Sequence, residues 1–537
     1  MAMRITTKMM QNTSLRNLNV NKQHQEQLTN QMATGKKITR PSDNPVTAIR
    51  ALKLNASLDK IDQYYERNAK DARSWLDLTD KAIDTVAGIL SADSGMTQLI
   101  NQAANDYNQN KDITSIVKDL VSLAEEYYSV GNADSAGRSL FTGYRTDLPL
   151  TFIADKTETY KITEQFTNLD MDKMTFVGTG CLKELNEGNF NDPANDTTEY
   201  DVTTNDLYRF RLAYNNLDGV DQKDDKHGST HVPVITFEYG EFSKETGKPV
   251  NTTKYSTENG TIQVCKEANE DAYMKAVNDP TAVVYIASTG EILLGSKVKE
   301  TVAGLTHDTE LRISYEKSNW KKGDLDPVHY FYAEREHDIQ ERWLEYNENF
   351  LKDPTASGKQ IIEYDIGNNQ TIRVNTTADE LFTHDVGRDI DELNRMVEDS
   401  STIQANLKVI EELIDSGKYE GDELKKLELE QAALKKADTY CHDKVKNRLG
   451  ELLTNFSGYL ENVNNATTNC GSRGSCLTLI ENRLATSQTN YKELVSENED
   501  ADYAELTVQL SSVKMTYEAA LSSISYVMQT SLLDYIR

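Results

Sequence analysis

Cysteine, proline and glycine are all scarce in this 537-residue chain. The five cysteines, Cys181, Cys265, Cys441, Cys470 and Cys476, are few, odd in number and scattered, which excludes a small disulfide-stapled scaffold. Cys470 and Cys476 are the one close pair. Six residues of helix rise about 9 Å, beyond the ~7 Å between Cα atoms that a disulfide tolerates, so both are read as small packing residues. Nine prolines and 27 glycines leave room for long unbroken helices. No apolar run approaches the ~20 residues of a membrane span, and the N-terminus has no apolar core of a secretory signal. Positive charge is in the minority, 58 Lys and Arg against 86 Asp and Glu for a formal net charge of −28, which argues against nucleic acid or an anionic membrane as partner.

Catalytic signatures are missing as well: there is no P-loop, no paired CxxC and no HExxH. His227 and His231 stand four apart, but Gly228 and the flanking charges make the stretch a loop, which does not hold them on one face. "DGVDQKDDKHG" has the acids of a calcium loop without their alternation or terminal Glu. Cys441 and His442 are adjacent on a helix and point apart, and "EREHDIQER" reads as a solvated helix face. The chain is therefore expected not to be an enzyme and to need no metal or cofactor.

What is present is helical order at both ends. Leu15, Leu18, Leu28 and Met32 mark a first helix that Gly35 stops. A basic turn with Pro41 follows; Asn44 then suits an N-cap and Pro45 the first helical position. Ala72, Leu76, Thr79, Ile83, Val86 and Leu90 step by 4 and 3, an a/d seam, on a rod expected from Pro45 to about residue 94, ~75 Å long. Another helix is expected at 112–130, with Ile113, Ile116, Val117, Leu120 and Leu123 inward. The C-terminal end mirrors this. Leu477, Ile480, Leu484, Ser487, Tyr491 and Leu494 form one seam; Leu506, Leu510, Val513, Tyr517, Ala520, Ile524 and Val527 form another, one residue out of register. Between them lies "VSENEDAD", where Ser496 and Glu499 form a candidate capping box. "TGKKITRPSDNP" and "VSENEDAD" thus read as matching joints on two antiparallel arms. The arms carry opposite charge: residues 1–40 hold seven Lys and Arg and one Glu, net +6, and residues 497–537 hold seven acids and two bases, net −5. A helix pair this short is marginal alone in water, so the ends are expected to order fully on assembly.

The middle is β-rich. "TAVVYIASTGEILLG" and "QIIEYDIGNNQTIRVN" read as hairpins, and "DLYRFRLAY", "VPVITFEYG" and "ELRISYE" as strands. Helices resume near Ala378 and again from Asp422 to about 495. The fold class is α+β, long antiparallel terminal helices forming a coiled-coil bundle around a β-rich insertion. The expected parts are 1–40 with 500–537, 41–150 with 358–499, and 151–357, the last of one or two subdomains.

Three separated motifs resemble one family. "LTNQMATGKKITRPSDNPVTAI", "NADSAGRSLFTGYRTD" and the ending "SLLDYIR" are similar to the hook–filament junction proteins among the flagellin-like proteins. The resemblance covers about residues 3–147 and 360–537. It implies a structural adaptor of the bacterial flagellum, exported by the flagellar type III apparatus and placed extracellularly between the first hook-associated protein and flagellin. It also implies a homo-oligomeric ring, an export chaperone, and an innermost tube formed by the terminal helices. The alternatives are a flagellin filament subunit, or a flagellin-like protein whose insertion binds glycan or is a hydrolase.

Overall fold

The computed structural model describes residues 7–105, 110–178, 180, 182–190, 192, 197–219, 233–306, 309–337, 342–353 and 355–533. Its helices are α1 Thr7–Thr34, α2 Pro45–Asp62, α3 Lys70–Leu90, α4 Met96–Asn105, α5 Asn110–Val130, α6 Glu270–Asn278, α7 Ser296–Ala303, α8 Ala378–Leu381, α9 His384–Asp415, α10 Asp422–Glu499 and α11 Tyr503–Leu533. Its strands are β1 Asp134–Ser135, β2 Arg138–Ser139, β3 Lys156–Phe166, β4 Asp172–Gly178, β5 Thr203–Arg211, β6 Thr236–Phe242, β7 Pro249–Ser256, β8 Ile262–Cys265, β9 Val283–Ile286, β10 Glu291–Leu294, β11 Glu310–Trp320, β12 Tyr332–His337, β13 Arg342–Tyr346, β14 Glu363–Gly367 and β15 Gln370–Arg373. The class is α+β. The chain forms two compact units: Met1–Ala72, Tyr364–Ile372 and Ser475–Arg537 make the first, and Arg73–Glu363 with Arg373–Gly474 the second.

In the first unit, α1 pairs with α11, and α2 continues into a π-helical stretch, Gln63–Ala69. The rod expected from Pro45 is therefore helical through Leu90 but not uniformly α. The wider π turn carries Asn68, whose Nδ2 donates to the Asp365 carbonyl at 2.7 Å in the β14–β15 hairpin. The turn of that hairpin places Asn369 at φ 55°, a conformation asparagine tolerates. On α10, Leu477 and Leu484 are buried as the spacing predicts. Leu494 is exposed instead and Val495 takes its place, because the 4-3 step from Tyr491 lands one residue later. Cys476 is exposed, not a packing residue, whereas Cys470 of the second unit is buried.

The second unit packs α5 against α9. The seam of α3 from Leu76 onward is buried, and so are Ile113, Ile116, Val117 and Leu120 of α5; Leu123 is half-buried. Helix α4 was not anticipated: its Met96, Ile100 and Ala103 are buried at 4-3 spacing, but ten residues after an Ala-Asp-Ser-Gly turn are too few for a clear periodic signal. Two sheets follow. One is antiparallel in the order β13-β12-β3-β11-β6-β7, with Leu311, Ile313 and Tyr315 of β11 in its core. The other runs β4-β5-β10-β9-β8, with β8 and β9 parallel and the remaining pairs antiparallel. The β9–β10 hairpin is buried on both faces, which is why its strands are apolar except for Glu291, whose carboxylate is paired with Arg209. The described residues of "EREHDIQER" are not helical. They belong to β12 and β13, with Glu334 opposite Glu345 and Arg335 opposite Leu344.

A buried ionic cluster ties strand β5 to α9 and α10 inside this unit. Asp389, fully buried, accepts from Arg211 Nη1 at 2.5 Å, Arg448 Nη2 at 2.7 Å, Asn455 Nδ2 at 3.0 Å and the Tyr459 hydroxyl at 2.8 Å. Glu392 accepts from Arg209 at 2.6 Å and pairs with Arg448 at 3.0 Å, while Arg209 also reaches Glu291 at 2.7 Å. Burial acts to raise the Glu392 carboxyl pKa, but Arg209, Arg448 and Arg211 together outweigh it and hold the group well below the usual carboxylate range.

Candidate assembly site at the paired chain ends

The two joints read from sequence are joined to each other. After α1, Gly35 turns at φ +70°, where a side chain would be strained and its Cβ would sit 2.9 Å from the Tyr503 hydroxyl. Its carbonyl accepts from the Ala501 amide at 2.9 Å, and the Lys37 amide donates to the Glu499 carbonyl at 2.6 Å, so Lys36 and Asp500 form an antiparallel bridge. Lys36 Nζ lies 2.7 Å from Asp500 and 3.2 Å from Glu499. The hydrogen bond from Lys36 holds the Asp500 carboxyl below its ordinary pKa. Gln31 Nε2 donates to the Lys37 carbonyl at 2.5 Å, and Asn55 Nδ2 to Glu499 at 2.5 Å.

Each helix start has a local cause. Asn44 is extended at φ −152° and accepts from the Thr47 amide at 3.2 Å, with Pro45 at the first helical position. Pro41 opens the exposed turn before it, and the Asp43 carboxylate accepts from the Arg40 amide at 2.9 Å. On the opposite arm the capping box did not form. Ser496 and Glu499 are still within α10, and Ser496 Oγ donates to Asp500 at 2.6 Å. Asp502 caps α11 instead, accepting from the Ala504 amide at 2.8 Å and the Glu505 amide at 3.2 Å. The acid-rich joint offers several caps, and α10 runs four residues beyond the expected end.

The seams face each other along the pair. On α1 the shielded positions are Gln11, Ser14, Leu18, Asn21, Gln25, Leu28 and Met32, at 3-4 spacing. Leu28 is 3% exposed at its joint end. Leu15 is off this line and 48% exposed. On α11, Leu506 is buried and Leu510, Val513, Tyr517, Ala520 and Ile524 are half-buried; the side chain of Val527 lies outside the described residues. The seam of α1 is mostly polar, a feature that reading only its leucines missed.

Much apolar surface remains open on this unit. Met9, Met10, Leu15 and Val20 of α1, Val46, Ile49 and Leu52 of α2, and Val508, Met515, Leu521 and Tyr526 of α11 are all more than 40% exposed. On α11 the apolar side chains are not confined to the seam facing α1 but spread to other sides of the helix, among polar residues such as Glu505, Lys514 and Glu518.

His227 and His231 lie outside the described residues, as does most of the calcium-like loop. Cys441 is buried on α10, and burial pushes its thiol up to about 11. No group of three or more His, Cys, Asp or Glu among the described residues is arranged to hold a metal ion, and no described helix is long and apolar enough to cross a membrane.

Residues 5–146 match the family model described as the bacterial flagellin N-terminal helical region. Flagellar hook-associated protein 3 of Salmonella typhimurium is 28% identical over 146 residues, 27% of this chain and 45% of that protein; its Escherichia coli counterpart is 27% identical over the same extent. The chain thus spans about half the length of the curated relatives it matches. A crystal structure of Xanthomonas campestris FlgL is similar at 11% identity over 82% of this chain and 99% of that one, with a TM-score of 0.29. The N-terminal quarter of the chain is therefore flagellin-like, and among flagellin-like proteins it resembles flagellar hook-associated protein 3.

Proposed function

We propose that this chain is a structural adaptor of the bacterial flagellum that joins the hook, through the first hook-associated protein, to the flagellin filament. The carrying observation is the antiparallel closure of the two chain ends at Lys36 and Asp500, which ties a flagellin-like N-terminal region to the C-terminal arm. In this reading the chain leaves the cell through the flagellar type III apparatus, escorted by an export chaperone, and assembles as a ring outside it. Residues 1–40 and 500–537 form the inner tube, 41–150 and 358–499 the next shell, and 151–357 the outward part. Leu15, Leu18, Leu28, Met32, Leu506, Leu510, Val513, Tyr517, Ile524 and Val527 supply the helix contacts, while Gly35, Pro41, Asn44 and Pro45 set the joint. The open apolar faces of α1, α2 and α11 are covered by sister copies and neighbours, and no catalysis is involved.

A strain lacking the gene, complemented with wild type or Leu510→Asp, tests the reading. The expected result is hooks without filaments and flagellin lost to the medium, rescued by wild type and not by the variant. Filaments firmly attached to hooks in the deleted strain would overturn it. Abundant chain along the length of sheared filaments would favour a flagellin subunit instead.

A further inference from the structure

Within the second unit, a cavity of about 530 Å³ opens between α5, the start of α9 and the loop after β11. Its volume falls in the ordinary range of small-molecule sites. Tyr214 and Trp320 are among its lining residues, their rings edge to face at 5.2 Å, with the His384 ring 4.9 Å from Tyr214.

Arg388 is the unusual lining residue. It is 4% exposed and is held by backbone carbonyls alone: Nε donates to Leu212 at 3.0 Å and Nη2 donates to Thr289 and, at 3.4 Å, to Gly290. Its Nη1 has no partner, and neither does the buried Nε2 of half-buried His384. No carboxylate among the described residues lies within ion-pair distance of Arg388, in contrast to Arg209, Arg211 and Arg448 of the same unit. The nearby groups are already engaged. Asp391 accepts from Asn215 at 2.7 Å, and Lys317 donates to the Asn215 carbonyl at 2.8 Å and stands 3.8 Å from Asp324. Glu291 and Asp391 act on Arg388 only from beyond ion-pair distance, and Glu291 is paired with Arg209, so this buried guanidinium lining a cavity with an aromatic wall has no anion in direct contact. Lys321 and Lys322 are exposed at the cavity, and its charged lining, Lys156, Lys317, Lys321, Lys322 and Arg388 against Glu125, Asp155, Asp324 and Asp391, leaves an excess that a single negative charge balances.

We propose that this cavity binds a small ring-bearing monocarboxylate, its carboxylate on Arg388 and its ring against Tyr214 and Trp320. The inference does not depend on the flagellar role. It concerns a site built from the β-rich part and the helices beneath it.

Calorimetric titration of the full chain with sodium glucuronate and sodium benzoate, each beside its uncharged twin, glucose and benzamide, tests it. The expected result is saturable 1:1 binding of at least one acid and binding of its neutral twin at least about tenfold weaker. Which acid binds distinguishes a sugar ring from an aromatic one. Lys322→Glu, a surface change, should weaken the acid about threefold or more with unchanged circular dichroism. Arg388→Met should abolish the preference for the acid. No saturable binding of either acid up to about 10 mM, or equal binding of acid and neutral twin, overturns the proposal.

Discussion

Leu28→Ala tests whether the terminal pair is held by its seam. Leu28 is 3% exposed on α1, and α1 meets α11 on the side of Leu506, which is 6% exposed. The substitution removes three carbons from a buried site, worth about 2.4 kcal/mol at ~0.8 kcal/mol per methylene. A cavity would add to this, but two helices without a further layer can partly collapse, so about 2 kcal/mol is the working value. The pair opens locally rather than with the whole chain, because the seam beyond Leu28 is mostly Gln, Ser and Asn. A loss of about 2 kcal/mol corresponds to about 30-fold faster amide exchange. Hydrogen exchange with peptide-level mass readout should show this acceleration, or exchange at the free-chain rate, in both 8–34 and 503–526. Peptides from β9, β10 and β11 should be unaffected. Unchanged protection in α11 would refute the reasoning, since α11 would then be held by something other than its pairing with α1.

Gly35→Ala forces a side chain into a φ +70° turn against Tyr503 and should loosen the joint by about 1–2 kcal/mol, read as faster proteolysis between 35 and 45; Tyr503→Ala in the same chain should recover part of the loss. Asp389→Asn takes one of two carboxylates from buried Arg448 and half-buried Arg211, leaving Glu392, and should cost about 3 kcal/mol. The chain's three tryptophans, Trp75, Trp320 and Trp343, all lie in the second unit, so urea unfolding followed by their fluorescence reports it. Glu164, buried beneath the Tyr315 hydroxyl, has its carboxyl pKa pushed by burial up to about 7. The folded form therefore holds a proton that the unfolded form releases near pH 4.5, and stability falls as pH rises from about 4.5 to 7, by about 3 kcal/mol. Glu164→Gln should remove that falling limb. A variant with the same pH profile as wild type would show that Glu164 does not titrate in this range.

The ends of the chain were legible because their information is periodic and local. The steps of Leu506, Leu510, Val513, Tyr517 and Ile524, the Gly35 stop, and the Asn44-Pro45 start are backbone and spacing effects that neighbouring residues decide. Charge sign alone was enough to expect the arms together, and the Lys36–Asp500 bridge has that polarity. The hairpins at 283–294 and 363–373 were likewise visible through their turn residues.

Other features depended on residues far apart in the chain. Glu334 and Arg342 read as a helix face because alternating charge on an exposed strand resembles it; only pairing of β12 with β3 and β13 settles the strand. Which acid caps α11 was undecidable among the several at 497–502, since the winner depends on where α10 stops against Lys36 and Lys37. The Asp389 cluster joins positions 211, 389, 448 and 459, and Arg388 points to an anion only because folding gave its neighbours other partners. The sequence alone determined where the terminal helices and the hairpins at 283–294 and 363–373 lie and which ends attract. Tertiary structure decided which buried charges are paired and which is left waiting, because desolvation and partner geometry exist only once distant segments meet.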